Sequence, residues 1–157
     1  MKNLVLGTVQ LGMNYGINNS AGQPDIASAY SILDYAYRHQ VHALDTAADY
    51  CDSELVIGRY IGDSGHSFRV CTKLSSKVTM QGDAACAVNN EVIRSLDRLK
   101  TERIYVYYLH RFEQCRDADI VRALEALKAE HIVDYLGVSI YKPEELKYII
   151  EELRGVI

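Results

Sequence analysis

Leu4-Val5-Leu6-Gly7-Thr8-Val9-Gln10-Leu11-Gly12 decides which α/β architecture this chain can take. The apolar run at residues 4–6 reads as a short strand, and a Gly- and Asn-rich loop follows it through Gly22. An open, dinucleotide-binding sheet would carry Gly-x-Gly-x-x-Gly after its first strand, where the glycines let the backbone approach a pyrophosphate. The segment from Gly7 to Gly12 does not match that pattern. The alternative, a segment of a β/α barrel, needs no such motif.

Outward from this opening the chain alternates. Ile26, Tyr30, Leu33 and Tyr37 recur at helical spacing, which predicts an amphipathic helix over about residues 25–39. A short strand follows at 42–45. The next helix, about 53–61, is opened by a capping pair, Asp52-Ser53, and ends before a turn at Gly62-Asp63-Ser64-Gly65. Strands at 68–73, 104–109 and 135–138 alternate with helices at about 83–100 and 118–130. The third of these strands is followed by a helix that Pro143 opens, with Glu144 and Glu145 in its first turn, where the helix dipole favours acids. Leu146, Ile149, Ile150 and Leu153 make its apolar face. Five βα units in a row predict one parallel sheet covered by helices. The expected fold class is α/β, a partial (β/α)8 TIM barrel, with residues 1–157 forming part of one domain.

Bulk properties narrow the function. The chain of 157 residues is 48% hydrophobic and 24% charged, ordinary for a globular domain. Its net charge of -4 and the lack of a basic stripe argue against a nucleic-acid or membrane-surface partner. Met1-Lys2-Asn3 runs directly into the first strand without the apolar core of a signal peptide, so a cytoplasmic protein is expected. Cys51, Cys71, Cys86 and Cys115 are widely spaced, with no C-x-x-C pair, and read as reduced thiols. No close histidine and cysteine pairs suggest a metal site, so none is expected.

Polar residues close successive apolar runs: Asp45 in Leu44-Asp45-Thr46-Ala47, Lys73 in Cys71-Thr72-Lys73, His110 in Tyr108-Leu109-His110, and Ser139 in Gly137-Val138-Ser139. In a β/α barrel the C-terminal strand ends carry the chemistry. Taken singly each residue has an ordinary reading. An Asp at a strand end turns or caps, Tyr50 is one of 12 tyrosines, Lys73 and His110 suit exposed ends, and Ser139 suits a helix cap.

As an ordered set they resemble the aldo-keto reductases. The resemblance rests on residues 4–12, on Asp45-Thr46-Ala47 with Tyr50 and Ser53-Glu54, on Thr72-Lys73, on Leu109-His110 and on Gly137-Val138-Ser139. It implies an oxidoreductase that reduces an aldehyde or ketone with NADPH on a (β/α)8 barrel. It maps a catalytic tetrad onto Asp45, Tyr50, Lys73 and His110, and cofactor contacts onto Gly7, Thr8, Asp45 and Ser139. The chemistry agrees with the mapping. Hydride delivery builds negative charge on the carbonyl oxygen, so a proton donor is needed there. A free tyrosine holds its proton to about pH 10, and a neighbouring ammonium favours the phenolate. A buried lysine in turn needs a counter-charge, which Asp45 can supply. A histidine across the site can bond the carbonyl oxygen. Two positions depart from the family pattern: Ile140, where Asn is frequent, and Cys51, where Gly is frequent.

A full barrel takes about 250 residues, so five units leave the outer strands open and an apolar face uncovered. The expected partners are a small carbonyl substrate and either a second copy, a complementing C-terminal half or another protein. Three readings stay open: a reductase active once its barrel is complete, a truncated remnant or interaction module that cannot hold the cofactor alone, and a small binding domain without redox chemistry.

Overall fold

The computed structural model describes residues 4–78 and 83–157, so the expected run of Met1-Lys2-Asn3 into the first strand lies outside them. The strands are β1 (Leu6–Gly7), β2 (Ala43–Asp45), β3 (Arg69–Leu74), β4 (Ile104–Leu109) and β5 (Val133–Val138). The helices are α1 (Val9–Gly12), α2 (Ile26–Arg38), α3 (Ser53–Ser64), α4 (Ala84–Leu99), α5 (Ala118–Ala129) and α6 (Pro143–Glu152).

The sheet order is β1-β2-β3-β4-β5 and every neighbouring pair is parallel. A doubly wound sheet reverses its order at a switch point. This one does not, so it is a barrel segment, as the sequence predicts. Register aligns the strand ends: Gly7 lies beside Asp45, Asp45 beside Cys71, Lys73 beside Tyr108, and Tyr108 beside Gly137. Among the described residues β1 and β5 each have a neighbour on one side only.

Short-range chemistry sets the helix starts. The Asp25, Asp83 and Asp117 carboxylates accept bonds from the N–H groups of Ser28, Cys86 and Ile120, satisfying donors that a helix start leaves free. Pro143 opens α6, and Glu145 Oε2 accepts from the N–H groups of Tyr141 and Lys142. At the other ends Gly65 (φ 70°) stops α3 and Lys100 (φ 51°) stops α4, each with its N–H on a carbonyl of the last turn.

Apolar residues pack in two groups. One, between the sheet and α4 and α5, contains Val88, Ile104, Tyr107, Leu109, Ile120 and Leu124. The other joins α2 and α3 to the first strands through Leu33, Leu44, Ile57 and Leu99. Burying each such side chain stabilises the fold by about 1.5–3 kcal/mol.

Several local expectations change. The loop after β1 contains one helical turn, α1, which buries Leu11. The expected turn at Gly62-Asp63-Ser64-Gly65 is mostly the last turn of α3, because only Gly65 takes the left-handed conformation. Asp52 offers no side-chain cap, and Ser53 points inward instead. β5 begins two residues earlier than predicted, and a 3-10 turn (Phe112–Arg116) follows β4. On α6 the expected apolar face is only partly covered: Leu146 and Ile150 are exposed, while Leu153 just beyond it is buried. Among the described residues no helix is long and apolar enough to cross a membrane.

Candidate active site

The site begins with three buried hydroxyls that tie the ends of β1 and β2 to the start of α3. Thr8 Oγ1 donates to the Asp45 carbonyl (2.8 Å), Thr46 Oγ1 to Ser53 Oγ (2.9 Å), and Ser53 Oγ to the Thr8 carbonyl (2.9 Å). All three residues are essentially inaccessible to water. Their polar groups are therefore paired, as burial demands. This is why Ser53 abandons a capping role.

Backbone bonds then carry the chain on from β2 alongside β3. Thr46 N donates to the Cys71 carbonyl and Ala48 N to the Lys73 carbonyl, before Tyr50 N closes a turn onto the Ala47 carbonyl. Gly12 passes beneath this turn. A Cβ there would lie 1.9 Å from the Tyr50 carbonyl oxygen and 2.3 Å from Ser53 N. Cys51, next in line, holds a left-handed backbone (φ 47°) that glycine adopts more easily. The residue is exposed, so the departure from glycine costs backbone strain and no core packing.

Lys73 is the buried charge of the site, 8% exposed. Its Nζ donates to Asp45 Oδ1 (2.6 Å) and to the Thr46 carbonyl (2.7 Å). It stands 4.9 Å from the centroid of the Tyr50 ring and 6.0 Å from that of Tyr108. A Cβ on Gly137 would meet the Tyr108 ring at 2.4 Å, so only glycine leaves room for this aromatic beside the lysine.

His110 follows β4, its ring edge-on to Tyr50 at 5.9 Å between centroids. Its Nδ1 lies 3.2 Å from Asp49 Oδ2, within ion-pair distance but outside hydrogen-bond geometry. Burial pushes the imidazole below its ordinary value of 6.5; Asp49 opposes that push and Lys73 adds to it. Asp49 was not singled out in the sequence. Burial disfavours its charged form, but the Ser76 and Ser75 hydrogen bonds and His110 outweigh this and hold its carboxyl below 3.8. The only signal was a second carboxylate in the loop from Asp45 to Tyr50, and nothing in the sequence links it to a residue on β4.

The structure thus brings Asp45, Tyr50, Lys73 and His110 together. Ser139 N donates to the Leu109 carbonyl (2.9 Å), which sets Ser139 beside the end of β4. Gly7 pairs with Asp45, and a Cβ on it would meet nothing within 4 Å. Thr8 differs from these, since its hydroxyl is already committed to Asp45.

Known proteins that resemble this chain share its family and its fold. The Aldo/keto reductase family model matches residues 3–157. D-arabinose 1-dehydrogenase of Saccharomyces cerevisiae is 28% identical, over 94% of this chain and 45% of its own length. A Pseudomonas aeruginosa crystal structure, provisionally assigned to the aldo-keto reductases, superposes with a TM-score of 0.79 at 25% identity, over 94% of this chain and 59% of that one. An aldo-keto reductase of Klebsiella pneumoniae, solved in complex with NADPH, gives 0.71 at 24% identity, over 96% and 50%. The chain spans about half the length of the relatives it matches.

Proposed function

The chain belongs to the aldo/keto reductase family, and we propose that it serves NADPH-dependent reduction of an aldehyde or ketone, with Tyr50 as the acid. The observation that carries this reading is Lys73, a nearly buried ammonium held by Asp45 and set against the Tyr50 ring, with the His110 ring edge-on to the same tyrosine. A lysine with a merely structural role at a strand end would keep its ammonium in water rather than bury it against a carboxylate and a tyrosine ring.

NADPH, when bound, supplies the hydride. The residues of the chain handle the proton and the orientation. Tyr50 donates its phenolic proton to the carbonyl oxygen as negative charge builds there. The Lys73 ammonium favours the phenolate that this leaves behind. Asp45 holds the ammonium in place and supplies its counter-charge. His110 orients the carbonyl oxygen from across the site.

The residues present fit a nicotinamide. The space beside Gly7 is open, so a flat ring can approach the backbone. The half-buried Ser139 follows β5, beside the end of β4, where its hydroxyl can bond a carboxamide. Thr8 contributes by fixing the Gly7-Thr8 turn, because its own hydroxyl is in use. The Klebsiella relative's NADPH complex supports the choice of cofactor. The activity is proposed for the chain with its barrel completed, and the open flanks of β1 and β5 are where further strands would pair.

Tyr50→Phe tests the reading. The variant should lose carbonyl reduction and keep nearly the same NADPH affinity, followed by nucleotide fluorescence. Turnover at the wild-type rate would remove Tyr50 as the acid.

A further inference from the structure

Asp49 has no role in the reaction just described, yet it is the carboxylate nearest to the histidine that does. It is held from two sides. Ser75 Oγ donates to Oδ1 (2.8 Å) and Ser76 N donates to Oδ2 (2.9 Å). Both serines follow β3, so the carboxylate is clamped between the loops after β2 and β3 and faces the residue after β4. Its Oδ2 stands 3.2 Å from His110 Nδ1, a buried nitrogen with no hydrogen-bond partner among the described residues. A turn of the imidazole about its last side-chain torsion, a soft coordinate, is what would align the two.

We propose that Asp49 is a positioning residue for His110: its carboxylate accepts the Nδ1 hydrogen, so that the uncharged ring carries its proton on Nδ1 and leaves a bare Nε2 for the ligand. Two nitrogens of one imidazole have opposite roles, and the bond made by one decides the role of the other. The consequence for turnover rests on the carbonyl-reductase reading. Uncharged His110 accepts a hydrogen bond at Nε2 and suits an alcohol. Protonated His110 donates from Nε2 and suits a carbonyl. Asp49 therefore assigns the two directions of the reaction to two protonation states of one ring. The groups facing that ring are Asp49 and Asp45, which favour its charged form, Lys73 and Arg111, which oppose it, and the edge-on ring of Tyr50.

The test is the tautomer of His110, read by imidazole nitrogen NMR on the isotope-labelled full chain across about pH 5 to 8. The wild type should show the Nδ1–H form at the upper end. Asp49→Asn should shift the ring toward Nε2–H and move its titration to lower pH, and Asp49→Glu should restore both. A wild-type ring that is mainly Nε2–H overturns the proposal, even if the variants do not fold. So does an Asn variant with an unchanged tautomer ratio. No cofactor or substrate is present, so failure of the reductase reading leaves this result unaffected.

Discussion

Lys73 Nζ lies 2.6 Å from Asp45 Oδ1 across adjacent strands, and the two ends of this ion pair differ in their access to water. The lysine side chain is 10% exposed and the aspartate side chain 37%. Breaking the pair should therefore cost more from one side than from the other. Asp45→Ala strands a buried ammonium and should destabilise the fold by about 2–3 kcal/mol. Lys73→Met leaves a carboxylate that water can reach and should cost about 1 kcal/mol or less. Urea denaturation of both variants gives the order; if Lys73→Met proves the worse, burial does not govern this pair.

Gly12 should be intolerant of any side chain. Its neighbours are the Tyr50 carbonyl and Ser53 N, backbone atoms that cannot rotate away. Gly12→Ala should lose about 2 kcal/mol or more, in the range of an overpacked core, and should displace Tyr50. A thermal melt within a degree or two of the wild type would mean that the turn after β2 is softer than argued.

The four thiols should divide into two classes. Cys51 and Cys86 are exposed. Cys71 and Cys115 are buried, and burial pushes both thiols up to about 11, away from the reactive thiolate. An Ellman titration near neutral pH should count two fast thiols in the native chain and all four in denaturant. Four fast thiols in native buffer would show that the sheet opens readily.

Stability should fall on the acid side in two steps. His110 titrates below its ordinary 6.5 in the fold, and Asp49 below 3.8. In each case the unfolded chain binds the proton first as pH drops, so stability is present above the ordinary value and lost as pH falls through the folded one. The melting temperature should start to decline below about pH 6.5, and His110→Gln should remove that first step. An identical profile in the variant would assign the loss to another group.

The alternation of apolar runs with amphipathic helices was legible because burial imposes period and length on the residues themselves. β2 to β4, α2, α4 and α5 appear within a few residues of where periodicity puts them. Boundaries failed where a distant contact overrode a local preference. Ser53 looks like a cap but is drawn inward by Thr8 and Thr46, and α3 runs past Gly62 because only Gly65 takes a positive φ. The apolar face of α6 was legible from its spacing, but how much of it is covered was not: Leu146 and Ile150 face water among the described residues.

The sequence by itself determined the parallel α/β order and which residues stand at the strand ends, because each depends on residue type and spacing along the chain, and its ordered motifs carried the family resemblance. Only the tertiary structure decided that Lys73 is buried against Asp45, that Thr8 is already hydrogen-bonded, and that Asp49 stands beside His110. Those facts depend on which strand ends lie side by side. Parallel register sets that, through backbone hydrogen bonds that carry no side-chain signature.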